Sequence, residues 1–240
     1  MHDRRNLLAF MKIETINKND PLLYRDMETY LQSGDWQIAY DSPTALQLDW
    51  DRGWLHALAA FDLDEARQLL EAIPAEDYVV LRGCKGLREL AAEVGFVGYE
   101  PCWQAVYDST EPVPVHTELT IRHPDDKDFP KVAASYELGT EEELRGDFDG
   151  PDFLGGYLGD EMVCYAGLHS EGSMGMLYVF PEYRRRGYGE AIFGTLRNNQ
   201  LQKGRLPYAQ IIDGNNASIN LHRKLGFKIA EDMLYWMWRE

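Results

Sequence analysis

Cysteine is scarce in this chain of 240 residues. Cys84, Cys102 and Cys164 are odd in number and widely scattered, with no CxxC pair and no Cys/His cluster. That excludes a disulfide framework and a structural zinc site built on cysteine; buried, reduced thiols in a cytoplasmic protein are the expectation. No apolar run approaches the roughly 20 residues that span a bilayer, so no membrane partner is expected. The opening Met1-His2-Asp3-Arg4-Arg5 precedes only a short apolar patch, Leu7 to Met11, with no cleavage region, which argues against a secretory signal. Met11 is a candidate alternative start. Basic residues are also few: 24 Lys and Arg against 40 Asp and Glu, a net charge of −16. Such a surface repels phosphate backbones, so nucleic acid is not an expected partner, while a cationic, amine-bearing substrate fits the sign. Asp147-x-Asp149-Gly150 resembles the start of a calcium loop, but Pro151 and the missing later ligands defeat it, and no metal is expected. Core-forming residues are plentiful: 45% of the chain is hydrophobic and 12% aromatic, enough for one large or two small domains.

The clearest linker is Asp108-Ser109-Thr110-Glu111-Pro112-Val113-Pro114-Val115, with two prolines among polar residues. Beyond it, Leu119 to Arg122 reads as a strand, and Thr140-x-x-Glu143 has the capping-box pattern that opens a short helix. Gly159-Asp160 divides Phe153–His169 into a hairpin, and Ser170-Glu171-Gly172 turns the chain into a further strand from Met174. Before the linker, Asp62-x-x-Glu65 caps a helix running to Ile73, with Leu63, Ala66, Leu69, Leu70 and Ile73 at helical spacing. Tyr78–Arg82 reads as a strand, Lys85–Val94 as a helix, and Gly95-Phe96 leads into an aromatic stretch ending at Tyr107. A similar order recurs at the C-terminus, from Tyr208 through a helix to Gly226-Phe227 and an aromatic run to Trp238.

Residues 179 to 189, Val-Phe-Pro-Glu-Tyr-Arg-Arg-Arg-Gly-Tyr-Gly, carry the most chemistry. They join a strand-like stretch, Met174–Phe180, to a helix-like one, Glu190–Lys203. Glycines allow a tight turn and close approach to a ligand. The unpaired N–H groups and positive dipole at a helix start attract phosphate, and arginine adds charge-assisted hydrogen bonds. The alternative is a solvated helix cap. A second segment, Tyr-Ala-Gln-Ile-Ile-Asp-Gly-Asn-Asn-Ala-Ser-Ile-Asn-Leu-His-Arg-Lys-Leu-Gly-Phe from Tyr208 to Phe227, reads as strand, turn, helix and glycine stop.

Together, Arg184-x-x-Gly187-x-Gly189, Asn215-x-x-Ser218-x-x-Leu221 and Leu225-Gly226-Phe227 resemble the GCN5-related N-acetyltransferase (GNAT) family over residues 117–240. Lys203-Gly204-Arg205-Leu206-Pro207-Tyr208 is similar to its FR47-like, glycine N-acyltransferase-like branch. The resemblance implies an α+β fold: a mixed, mainly antiparallel twisted sheet flanked by helices. It implies a transferase domain over 117–240 after a linker at 111–116, and residues 1–110 read as a degenerate GNAT-like copy that has lost its phosphate cradle. It further implies an enzyme that passes an acetyl group from acetyl-CoA to the primary amine of a small molecule or amino acid, by direct attack in a ternary complex. Acetylation of a protein N-terminus or lysine, and a non-catalytic coenzyme-A-binding module, are the alternatives.

The resemblance assigns the pyrophosphate to the backbone amides of Arg185, Arg186, Gly187, Tyr188 and Gly189, behind Arg184 and with Glu190 opening the helix. Leu177, Tyr178 and Val179 lie along the pantetheine arm, and a backbone donor at Val179 polarises the thioester carbonyl. Asn215, with Ser218 in the same motif, contacts the cofactor arm; the alternative for Asn215 is a turn residue. His222 stands where many members carry a tyrosine that protonates the departing thiolate; its alternative is a solvated surface histidine beside Arg223 and Lys224. The family's glutamate base has no match: Ser173 occupies that position, and Glu171, two residues upstream, shares its face if the strand begins that early. This departure puts glycine as the acceptor in doubt.

Overall fold

The computed structural model describes residues 20–136 and 140–240; the Leu7–Met11 patch and the alternative start at Met11 lie outside them. The chain runs α1 (Arg25–Ser33), β1 (Trp36–Asp41), β2 (Ala45–Trp50), β3 (Leu55–Ala60), α2 (Leu63–Ala72), β4 (Tyr78–Gly83), α3 (Leu87–Glu93) and β5 (Gly98–Val106). It continues through β6 (Thr120–Arg122), α4 (Phe129–Ala133), α5 (Glu141–Phe148), β7 (Leu154–Leu158), β8 (Glu161–Leu168) and β9 (Met174–Val179). Then follow α6 (Tyr188–Gln202), β10 (Tyr208–Ile212), α7 (Asn216–Lys224) and β11 (Lys228–Trp238). These elements form two compact units. Of the described residues, one holds 20–106 with Ile211–Asn220 and Lys228–Glu240, and the other holds 107–136, 140–210 and Leu221–Phe227.

The first unit is built on a sheet ordered β1-β2-β3-β4-β11-β5, which Ile211 and Ile212 at the end of β10 extend beyond β5. β3 and β4 are parallel, and α2 makes the crossover between them. Asp62 caps α2 by accepting from the Glu65 N–H at 2.9 Å, as the spacing predicts. Ala66, Leu70 and Ile73 of the periodic set are buried with Val79, Leu81, Phe96 and Met237, whereas Leu63, in the first turn, stays exposed. A division at 111–116 groups β11 with the C-terminal part, but its aromatic residues pair with β4 (Trp236 opposite Val80) and β5 (Trp236 opposite Glu100). Strand pairing at that sequence separation leaves no local signal.

The second unit carries an antiparallel sheet ordered β6-β7-β8-β9. Gly159, at φ +60°, makes the β7–β8 hairpin turn expected at Gly159-Asp160. Period-two alternation in β8 sends Tyr165 into a cluster with Phe148, Phe153 and Met176. The opposite face carries α6, where the Cys164 Sγ lies 4.0 Å from the Tyr188 carbonyl. Thr140 and Glu143 form the expected capping box at α5: the Thr140 hydroxyl accepts from the Glu143 N–H (3.2 Å), and the Glu143 carboxylate from the Thr140 N–H (2.7 Å). The linker Asp108–Val115 is free of helix and strand. It is tied down where Tyr107 Oη donates to the Glu111 carbonyl (2.9 Å) and Asn198 Nδ2 to the Val113 carbonyl (2.7 Å).

Candidate functional site

β9 is the outermost strand of its sheet and ends at the anion-cradle sequence. Its pairing with β8 slips between Tyr165 and Gly167, where Met176 takes φ +52°. A non-glycine residue in that region marks local strain, and a bulge re-aims the residues beyond it. Met176 turns into the core, and Leu177, Tyr178 and Val179 stay half-buried. The Val179 carbonyl accepts from Arg184 Nε at 2.9 Å, using one of its two lone pairs.

After a short turn at Pro181–Tyr183, Arg185 takes φ +60° and Gly187 φ +83°, and Gly187 becomes the N-cap of α6. No side chain caps this helix, so the N–H groups of Tyr188, Gly189 and Glu190 have no intrahelical acceptor. A Cβ added at Gly187 meets nothing within 4 Å, so the cradle opens outward there. At Gly189 a Cβ comes within 3.3 Å of Val179 Cγ2, so this glycine lets α6 lie close against β9. Arg184 stacks over Tyr178 (5.5 Å), and Arg186 over Tyr183 (5.6 Å) while donating to the Glu182 carbonyl at 3.2 Å. Arg184, Arg185 and Arg186 are all exposed.

A cavity of about 660 Å³ adjoins the cradle, its wall formed by Arg186, Gly187, Tyr188, Glu190, Lys224 and linker residues. Tyr188 donates to Glu118 Oε1 at 2.5 Å, and this bond to a carboxylate raises the Tyr188 pKa. Glu190 pairs with Lys224 at 2.5 Å. These uncapped N–H groups, arginines and open space fit the pyrophosphate of coenzyme A.

Glu171 and Ser173 meet in a turn, not on a strand face, because β9 begins only at Met174. The turn is closed by the His169 N–H on the Ser173 carbonyl (2.9 Å) and the Gly172 N–H on the His169 carbonyl (2.8 Å). The buried Ser173 hydroxyl donates to the Glu171 carboxylate, and Tyr208 Oη donates to the Glu171 carbonyl at 3.0 Å.

His222 is 3% exposed, which corrects the solvated-surface alternative. It meets Phe193 (4.9 Å, 72°) and Phe227 (5.0 Å, 77°) edge to face, because its face of α7 turns inward while Arg223 and Lys224 face out. Asn215 and Ser218 lie in the first unit, where Asn215 Oδ1 accepts from the Ser218 N–H at 3.1 Å, a local cap for α7. Sequence reasoning missed Glu118, Arg197 and Lys224. All three line the cavity from distant parts of the chain with no shared motif. Burial pushes the Cys102 and Cys164 thiols up to about 12, which unsuits them as nucleophiles. Among the described residues, no group of three or more His, Cys, Asp or Glu side chains is placed to hold a metal ion.

Residues 155–237 match the family model of FR47-like protein. No curated protein matches the sequence. Among solved structures, a Drosophila protein aligns with TM-score 0.63 at 16% identity, over 98% of this chain and 96% of its own. A GCN5-related N-acetyltransferase from Kribbella flavida aligns with TM-score 0.56 at 14% identity, over 90% and 93%. A tandem GNAT protein from the clavulanic acid biosynthesis pathway aligns with TM-score 0.51 at 13% identity, over 98% and 93%. The resemblance carried by the two motifs therefore holds, both in the FR47-like match and in a mixed α+β fold of antiparallel-dominated sheets flanked by helices.

Proposed function

We propose, for a chain with the GCN5-related N-acetyltransferase fold and an FR47-like stretch at residues 155–237, that it transfers an acetyl group from acetyl-CoA to the primary amine of a small molecule or amino acid. The observation that carries this reading is the cradle: an uncapped helix start, opened by Gly187 and preceded by three exposed arginines. The N–H groups of Arg185 to Gly189 bind the pyrophosphate, Glu190 lies in the first turn of α6, which opens at Tyr188 and not at Glu190, and Arg184 to Arg186 offset its charge. The outer edge of β9 at Leu177, Tyr178 and Val179 orients the pantetheine arm as a further strand would, and the Val179 backbone polarises the acyl carbonyl. Acetyl-CoA, when bound, would supply a thioester whose acyl carbon an amine can attack, with the coenzyme A thiolate as the leaving group.

Glu171 would accept a proton from the acceptor's ammonium group, freeing the amine lone pair for attack, with its carboxylate held in place by the Ser173 hydroxyl. His222 would return a proton to the departing thiolate, and Asn215 and Ser218 would contact the cofactor arm. The acceptor is cationic before it loses that proton, in keeping with the chain's acidity. The setting is cytoplasmic. Residues 117–240 carry the activity, after the 111–116 linker, and residues 1–110 are a degenerate copy. Two observations support that last point: α2 is capped by its own Asp62 carboxylate, which fills the position an anion would take, and the chain aligns over 98% of its length with a tandem GNAT protein.

Thiol release from acetyl-CoA with a panel of amines, amino acids and short peptides tests the reading. Glu171→Gln is expected to cut turnover roughly a hundredfold with unchanged cofactor affinity; undiminished turnover removes Glu171 as the base. A second reading, a coenzyme-A-binding module without catalysis, is favoured by the burial of His222 between two rings. Cofactor binding with no thiol release for any amine would establish it.

A further inference from the structure

The cavity beside α6 is lined by a buried cation for which the described residues supply no counter-charge. Arg197, in the third turn of α6, is 2% exposed and forms part of the wall. Its Nη1 donates to the Leu225 carbonyl (2.7 Å), Nη2 to the Val113 carbonyl (3.3 Å), and Nε and Nη2 to Asn198 Oδ1 (3.2 and 2.9 Å). Its guanidinium lies 4.7 Å over the Tyr107 ring. Every one of these acceptors is neutral. Among the described residues no carboxylate pairs with Arg197, and burial lowers its pKa from the usual arginine value. Arg82, also deeply buried, is treated differently: it sits against the Asp26 carboxylate.

A buried charge is ordinarily paired, because leaving water costs it more than neutral hydrogen bonds return. The Leu225 carbonyl, just past the end of α7, adds only the small negative potential of a helix C-terminus. Both carboxylates on the cavity wall are already engaged, Glu118 by Tyr188 and Glu190 by Lys224. Arg197, Arg186 and the open N–H groups from Gly187 onward are left as a local positive surplus in a chain of net charge −16.

We propose that this cavity is a binding site for a phosphate monoester, with Arg197 as its buried counter-charge and Arg186 and Lys224 at its rim. The volume, about 660 Å³, lies in the range that takes ligands of nucleotide size. A monoester near neutral pH carries up to two negative charges and three acceptor oxygens, which matches several converging donors better than a single carboxylate does. Two sources share this chemistry: the 3′-phosphate of coenzyme A, which rests on the function proposed above, and a free phosphorylated metabolite.

The test is calorimetric titration of the full chain with coenzyme A and with 3′-dephospho-coenzyme A, alongside thermal unfolding in inorganic phosphate. If the cofactor is the source, the wild type prefers coenzyme A by roughly tenfold or more, and Arg197→Gln erases the preference while keeping its affinity for the dephospho form. Lys224→Gln, at an exposed position, reduces the preference a few-fold and serves if the Arg197 variant does not fold. If the source is a free phosphate ester, the two cofactor forms bind equally, and phosphate raises the wild-type Tm but not that of Arg197→Gln. Equal affinities with no phosphate-dependent rise in Tm overturn the proposal. Failure of both cofactor forms to bind refutes the proposed function instead, and the phosphate arm then decides the anion site alone.

Discussion

Replacing His56 by glutamine should destabilise the protein in a pH-dependent way whose sign the structure dictates. His56 is 7% exposed on β3, with Nδ1 2.7 Å from Asp49 Oδ1 and Nε2 3.0 Å from Asp77 Oδ2. Both ring nitrogens face carboxylates, so the imidazolium satisfies both and the neutral ring only one. Burial pulls the His56 pKa down, but the bonds to Asp49 and Asp77 outweigh it and leave the value raised. Burial likewise pushes Asp49 up, and the bonds from His56 and Gln47 leave it lowered. A raised histidine contributes fully below its unfolded pKa near 6.5, and the contribution fades as pH rises through the folded value. The lowered Asp49 contributes above about 4, and that contribution is lost as pH falls through its folded value. The greatest stabilisation therefore lies between these limits, near pH 6.

Each charge-assisted bond is worth about 1.5–3 kcal/mol before desolvation. Asp49 keeps 39% of its side chain in water and can rehydrate when its partner is lost. A net cost of about 2 kcal/mol for His56→Gln at pH 6 follows, or roughly 4–8 °C in Tm for a chain of this size. Thermal unfolding of both proteins at pH 6 and pH 9 measures it, and the gap should narrow at pH 9. An equal gap at both values would refute the imidazolium account.

Gly83→Ala should abolish soluble expression: at φ +148°, a Cβ there lies 1.8 Å from the Ala60 carbonyl oxygen, a clash that only parting β3 from β4 relieves, at a cost above about 4 kcal/mol. Arg82→Met should cost about 3–5 kcal/mol in urea unfolding by stranding the buried Asp26 carboxylate. The double variant Arg82→Met with Asp26→Leu should recover most of that loss, and failure to recover would mean that packing matters more than charge there.

Legibility in the sequence followed the range of the interaction. Features set within a few residues were readable: the Asp62 and Thr140 caps, the Gly159 hairpin, the glycine stop after α7, and the cradle itself. Pairings across long separations were not. The first three strands carry no motif, and the aromatic run Lys228–Trp238 does not announce that its partners are β4 and β5. The site divides the same way. Arg184 to Glu190 are contiguous and could be read directly. The burial of His222 depends on Phe193, 29 residues away, and the isolation of Arg197 becomes visible only when Val113 and Leu225 are brought to it. The spacing puts Glu171 and Ser173 on one strand face only if the strand begins that early; the strand begins at Met174, and a hydrogen-bonded turn brings them together by different geometry.

The central claim is that the start of α6 holds the phosphates of an acyl carrier, and calorimetric titration with acetyl-CoA tests it directly when wild type is compared with Gly187→Gln. A side chain at Gly187 has room, since nothing lies within 4 Å of its Cβ, and holding a non-glycine residue at φ +83° costs only about 1–2 kcal/mol. The variant should therefore fold, with Tm lowered by no more than roughly 8 °C. Its side chain stands where the phosphates would lie, so affinity should fall roughly a hundredfold or more from a micromolar wild type, the loss of two charge-assisted bonds. A folded variant that binds acetyl-CoA as tightly as the wild type would contradict the account.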